Sequence, residues 1–508
     1  MNSSDPSDPS APDGTVAADA AVVDEHNPSG QTFMGQPGPL ANLFSVELWE
    51  RFSFYGMQGI LALYMYFETT RGGLGIDPTV AAGIVGAYGG SVYIFSILGA
   101  LVSDRLLGPE RTLLGSAVMI MLGHIALALL PGVPGLVAGL LLVGIGSGGL
   151  KATSATLVGA LYDVKDSRRD AGFSIYYMGV NIGGLFGPLL TGLTQQTWGF
   201  HVGFGLAALG MAIGVTQYVL TRKKLPAAVH EVPDPLPRAM YPIWGGIALA
   251  AILLVIILVL TGIIHAGNLA AIMVTLSVIG AIVIFAMLLI SKKVSSDERS
   301  RVVAFIPLFL GTAAFFALFQ QQFTVITLYS DTRLDRALQL PFLGEWEMPI
   351  PWVQSFNPFF IIVLAPLFAA LWTKLGSRQP TTPKKFSLGI ILMGSAFLLF
   401  LPMVPVAAVP VLWVAMIMVV ATLGELSLSP VGLSLTTKLA PSAFPVLMMA
   451  LYYLSVALGT SLSGALAGFY SAETEGAYFG ALGAVTIVIG LLMLAISKPV
   501  EKGMRGVR

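Results

Sequence analysis

After residue 40 the chain repeats one pattern, an apolar run of about 20 residues, the length an α-helix needs to cross the hydrocarbon of a bilayer. Six such runs lie between 42 and 220, two at 243–264 and 268–290, and six between 303 and 496. Strands of a membrane barrel would be about half as long and would alternate in polarity. The pattern predicts an all-α polytopic membrane protein with fourteen transmembrane helices. Composition agrees: 55% of the 508 residues are hydrophobic and 11% charged, against about 25% charged in soluble domains, and mean hydropathy is +0.81. So few charges cannot coat a soluble enzyme, a disordered scaffold or a nucleic-acid binder. The net charge of zero gives no basic field for nucleic acid. The chain has no cysteine, which removes disulfides, thiolate nucleophiles and cysteine metal sites. His124 has no carboxylate or second histidine in register, and His201 and His265 fall near span ends, so neither a metal site nor a catalytic constellation is expected.

Residues 1–40 carry Asp5, Asp8, Asp13, Asp19, Asp24 and Glu25 with no Lys or Arg. They read as a disordered, solvated tail, without the basic and apolar regions of a signal peptide. The spans then group as six, two and six. An N-terminal bundle is expected over 41–221, a linker with two inserted helices over 222–300, a C-terminal bundle over 301–497 and a tail over 498–508. The inserted pair is very apolar and reads as lipid-facing. Of the 27 Lys and Arg, Arg71, Arg333 and Arg336 fall in loops on one side, and Arg51 and Lys151 fall inside spans. The others fall on the side of both termini, which positive-inside bias assigns to the cytoplasm.

Charges inside spans cost at least about 2.5–3.5 kcal/mol each, so those present face a bundle interior and pair. Glu47, Glu50 and Arg51 stand at i, i+3 and i+4 of span 1, on one face, continued by Tyr55 and Gln58. Lys151 in span 4 would neutralise the group. Two acids held with two bases titrate as one set, which suits proton coupling; an ion-pair network that only locks two helices is the bland reading. Glu425 is alone in span 10, with Ser429 one turn on, and either stays protonated within the bundle or awaits a cationic ligand. Tyr177 and Asn181 in span 5, and Tyr93 in span 2, fit a polar cavity or an interhelical bond about equally. Asn357 precedes Pro358 and caps or breaks its span. At least one of Gln320, Gln321 and Gln322 must face a polar interior. Cations in one half and an acid in the other predict a bipolar cavity and a small zwitterionic cargo.

Four motifs in order give the chain a family resemblance. Glu47-Leu-Trp-Glu50-Arg51-Phe52-Ser-Phe-Tyr55-Gly56 matches the ExxERFxxYG signature of the proton-dependent oligopeptide transporter (POT/PTR) family of the major facilitator superfamily. Gly99…Asp104-Arg105…Gly108…Arg111 resembles that superfamily's conformational loop between spans 2 and 3. Phe173 to Gly184 and Gly424-Glu425…Ser429-Pro430 resemble the family's span 5 and span 10 motifs. The resemblance covers roughly residues 40–500. It implies two six-helix bundles and proton-driven import of di- and tripeptides, with protons as coupling ion, no other cofactor, no metal and no catalytic residue. Glu47, Glu50, Arg51 and Lys151 would couple the proton. Arg51 and Lys151 would hold the peptide carboxylate, Tyr55, Tyr93, Tyr177 and Asn181 would line the site, and Asn357, Glu425 and Ser429 would hold the amine. Gln58 replaces a frequent arginine, Gln320 a frequent acid, Phe316 and Tyr452 usual tryptophans, and Ala-Thr-Ser after Lys151 a frequent Pro-Asn or Asn-Pro. Coupling then leans on span 1, and the lost tryptophans reshape the side-chain pockets. The resemblance further implies a monomer in the cell membrane, with both termini cytoplasmic. A carrier of nitrate, an amino acid derivative or a peptide-like drug is the alternative.

Overall fold

The computed structural model describes residues 32–163, 166, 168–340 and 344–507. Most of the acidic tail, Lys165 and Arg508 therefore lie outside the described residues. The N-terminal six helices are α1 (Pro39–Tyr66), α2 (Pro78–Val102), α3 (Pro109–Leu129), α4 (Gly132–Gly159), α5 (Arg169–Trp198) and α6 (Phe200–Thr221). The pair α7 (Tyr241–Leu260) and α8 (Leu269–Ile290) follows. The second set is α9 (Ser296–Phe319) continued by α10 (Val325–Thr332), then α11 (Phe356–Leu375), α12 (Thr382–Leu398), α13 (Val411–Leu439), α14 (Pro445–Ala467) and α15 (Glu475–Ala495), with a short tail helix α16 (Ser497–Gly503). Among the described residues, thirteen helices are long and apolar enough to cross a membrane. The 28-residue α1 is the fourteenth by length. Its charged face makes it too polar to qualify on composition, and that face is buried against its neighbours.

Two hydrophobic cores form, one in each set of six helices. Helix starts follow local chemistry. Pro occupies the first turn of α1, α2, α3, α12 and α14, where its missing N–H costs nothing. Asp77 caps α2, accepting from Thr79 N at 2.9 Å and Val80 N at 3.2 Å; the Thr79 hydroxyl and these amides hold its carboxyl below the usual range.

The structure departs from the sequence reading at the run 303–328 and at the inserted pair. The apolar run expected at 303–328 is two helices, broken by a 3₁₀ turn at Gln320–Phe323 and by Thr324 at φ −119°, ψ −100°. The inserted pair is not lipid-facing throughout. No residue of α7 is buried, whereas α8 buries Ala270, Ser277, Ala281 and Leu288 and packs on both α2 and α14, across the seam between the bundles. The start of the linker, 222–240, packs on the α2–α3 loop. Asp234 N donates to Asp104 O at 3.0 Å and Leu236 N to Arg105 O at 2.9 Å, while Arg105 Nη1 lies 3.0 Å from Asp234 Oδ2. The α2–α3 loop, a single π-turn ending at Gly108 with φ +80°, is thus strapped by the segment after α6.

Glu110 anchors this strap. It is fully buried, 2.9 Å from Arg222 Nε and 3.4 Å from His230 Nδ1. Removing the cation leaves a buried carboxylate uncompensated, which costs about 3 kcal/mol. Arg222→Met is therefore expected to lower the thermal unfolding midpoint of the purified protein, and Glu110→Gln/Arg222→Met to recover most of that loss. Equal midpoints for Arg222→Met and the parent chain would show that the pair contributes nothing.

Candidate functional site

The charged face of α1 meets α4 and α5 inside the N-terminal bundle. Arg51 Nε hydrogen-bonds Glu47 Oε1 at 2.8 Å and lies 2.9 Å from Glu50 Oε2. All three side chains are at most 4% exposed. The acids have further donors: Tyr176 Oη to Glu47 Oε2 at 2.5 Å, and Ser147 Oγ to Glu50 Oε1 at 3.1 Å. Such donors give the buried carboxylates hydrogen-bond partners. Both cations stand over the Phe54 ring, with Arg51 Cζ 6.0 Å and Lys151 Nζ 5.8 Å from its centre. Lys151 Nζ also sits 5.2 Å from the centre of Tyr93.

Two adjoining cavities lie between the bundles. One is lined by Lys151 together with Tyr55, Gln58, Tyr93 and Gln320. The other, of about 200 Å³, is lined by Tyr177, Asn181, Phe316, Asn357, Glu425 and Ser429. Tyr55, Tyr93, Gln320 and Phe323 border both, so the two form one chamber. On its far wall Asn357 Nδ2 donates to Glu425 Oε2 at 2.8 Å and to Thr422 Oγ1 at 3.1 Å. Asn357 thus sets the aim of Glu425 across α11 and α13. The chamber has a lysine at one end and a carboxylate at the other.

Two expected residues stand elsewhere. Arg51 lies behind the wall, because two carboxylates at contact distance outcompete the chamber for it. Tyr452 lines neither cavity; its ring packs 6.0 Å from Tyr453. Of the three glutamines, Gln320 and Gln322 face the chamber, and Gln321 turns away to accept from Tyr478 Oη at 2.7 Å. Gly99 lets α2 meet α4, where an added Cβ would come 2.6 Å from Gly149 Cα. The rest of its loop carries the strap contacts, and Arg111 stays exposed.

The sequence alone does not single out Tyr176, Ser147 or Gln354. Ser147, Lys151 and Ser154 recur at i, i+4 and i+7, a polar face on α4 that periodicity reveals. Tyr176 gives no such signal beside Tyr177.

The chamber is closed at one end by bonds between the bundles. Tyr66 Oη donates to Asp331 Oδ2 at 2.7 Å, Trp352 Nε1 to Leu189 O at 2.9 Å and Ser355 Oγ to Leu185 O at 2.9 Å. Beside them α2 crosses α14 through glycines so closely that a Cβ on Gly86 would lie 2.5 Å from Gly464 Cα. Toward the other end the chamber opens, and Tyr177 on its wall is 49% exposed.

Two six-helix bundles enclosing a polar chamber closed at one end and open at the other define a membrane transporter of the major facilitator type. Residues 110–488 match the model of the POT family. An uncharacterized transporter of Bacillus subtilis, YclF, is 41% identical over 480 residues, 94% of this chain and 96% of that one. A di-/tripeptide transporter of Lactococcus lactis subsp. cremoris is 38% identical over 497 residues, 95% of this chain and 99% of the other. A crystal structure of a peptide transporter POT in complex with sulfate superposes with a TM-score of 0.88 at 41% identity, covering 94% and 97% of the two chains. The chain belongs to the POT family. It is a multi-pass membrane transporter and not an enzyme.

Proposed function

We propose that the protein imports di- and tripeptides with protons by alternating access, as a monomer in the cell membrane with both termini cytoplasmic. One observation carries the reading: Lys151 and Glu425 face opposite ends of one chamber while Arg51 is held behind the wall by two acids. A zwitterion with carboxylate and ammonium at its ends complements that chamber. The relatives named as di-/tripeptide transporters fit the same cargo. A bare anion such as nitrate gains nothing from Glu425. Protonation of Glu47 or Glu50 would release Arg51 toward the cargo carboxylate, which links proton entry to binding. The open end, on the side of the basic loops, corresponds to an inward-facing state.

The test is uptake of labelled di-alanine and tri-alanine into proteoliposomes with and without an inward proton gradient. Gradient-dependent accumulation that unlabelled dipeptide blocks supports the reading; accumulation of neither peptide, with nitrate accumulated instead, rejects it.

Alternating access also predicts what disturbs the closed end. Overpacking a tight crossing costs about 1–3 kcal/mol. Gly86→Ala is therefore expected to open that end and raise impermeant-maleimide labelling of Ser463→Cys from outside by about tenfold. The cysteine-free chain gives this assay no background. Unchanged labelling would show that the α2–α14 crossing does not form the gate.

A further inference from the structure

We propose that the C-terminal bundle carries a site for the phosphate of an anionic lipid headgroup, at the end where α11 turns into α12. A cavity of about 850 Å³ lies there. Lys385, Lys438, Lys498 and Lys502 line it, against a single lining carboxylate, Glu501. That carboxylate is occupied: the Thr381 hydroxyl donates to it. Thr381 in turn makes no capping bond to α12, so the uncapped head of a 17-residue helix borders the cavity and adds its partial positive charge.

The other half of the wall is apolar, with Val431, Leu435, Met504 and Val507. Lysines beside aliphatic side chains suit an amphiphile better than a small ion. The position agrees. Leu371, near the end of α11, is 44% exposed, as a residue facing lipid would be. Lys385 Nζ stands 4.4 Å from the centre of the Trp372 ring, a pairing typical of the water–hydrocarbon boundary. Basic pockets between helix ends on the cytoplasmic side are suited to anionic headgroups, and anionic lipids concentrate in that leaflet. An inorganic phosphate ion would fill little of the space.

No residue of this cavity lines the transport chamber. The helix α13 serves both, with Glu425 on the chamber and Leu435 and Lys438 here. A bound headgroup would tie the end of α13 to α16, and so brace the helix that carries the acidic wall.

The test titrates the purified full-length protein with dioctanoyl phosphatidylglycerol, dioctanoyl phosphatidylcholine and inorganic phosphate, reading the thermal unfolding midpoint. Phosphatidylglycerol is expected to raise the midpoint saturably, and the other two to leave it unchanged. Lys498→Gln/Lys502→Gln should raise the half-saturating lipid concentration by about tenfold. Lys223→Gln/Lys224→Gln, at the end of the other bundle, should titrate like the parent chain. An equal response to phosphatidylcholine would overturn the charge selectivity, and an equal response to inorganic phosphate would assign the site to a soluble anion. Equal weakening by both double variants, or by neither, would overturn the location.

Discussion

Glu50→Gln is expected to abolish gradient-driven peptide accumulation while peptide exchange without a gradient persists. The reason is local. Glu50 is wholly buried, with one oxygen 2.9 Å from Arg51 Nε and the other accepting from Ser147. Glutamine keeps the shape and loses the charge, so the position can no longer trade a proton for its hold on Arg51. Driven accumulation should therefore fall to the level reached without a gradient. Glu47→Gln should behave alike, because Glu47 holds the same Nε at 2.8 Å. Exchange of labelled for unlabelled dipeptide, measured in the same vesicles, should change less than about threefold, since the chamber lining is untouched. Driven accumulation within twofold of the parent chain for both variants would remove the proton from this cluster. A parallel collapse of exchange would mean that the cluster is structural.

The charges of this cluster were legible because ionised groups inside a span are costly and therefore few. Glu47, Glu50 and Arg51 announce a shared face by spacing alone. Glu425 was legible for the same reason, and so was the bipolar character of the space between the halves. The membrane itself made the helices readable, since length and apolarity set each one independently of its neighbours. What stayed hidden depends on what comes to lie opposite. Gln320 to Thr324 interrupt a run that is otherwise uniformly apolar, so the break between α9 and α10 leaves little periodic trace. Asn357 looked like a cap before Pro358; only the approach of α11 to α13 turns it into the partner of Glu425. Tyr176 and Tyr177 differ by one step of helical phase, and nothing local says that the first meets Glu47 and the second the chamber. Arg51 was placed on the chamber because its charge suits a carboxylate. Its two acidic neighbours, equally visible in sequence, hold it back. The strap of 222–240 on the α2–α3 loop is tertiary, built from two backbone bonds and from ion pairs between residues far apart in the chain, which no local pattern announces.

Removal of the far-wall charge should separate substrates by their amino end. In Glu425→Gln the amide can still accept from Asn357, whose Nδ2 stands 2.8 Å from Glu425 Oε2, so the fold of the wall is kept. What is lost is the charge-assisted bond to an ammonium, worth about 1.5–3 kcal/mol in a buried setting. A free-amine dipeptide should then compete for binding about 10–100-fold less well. An N-acetylated dipeptide, which has no ammonium to place, should lose less than about threefold. Competition at constant pH without a gradient isolates this effect from coupling, so the result stands apart from that for Glu50. Lys151→Gln supplies the mirror image: it should weaken a dipeptide more than its C-terminal amide, because Lys151 borders the opposite end of the chamber. If Glu425→Gln weakens free and acetylated peptides equally, the carboxylate shapes the cavity without reading the amine. If the two variants show the same selectivity, the cargo does not lie along the axis from Lys151 to Glu425, and the bipolar chamber cannot be what selects it.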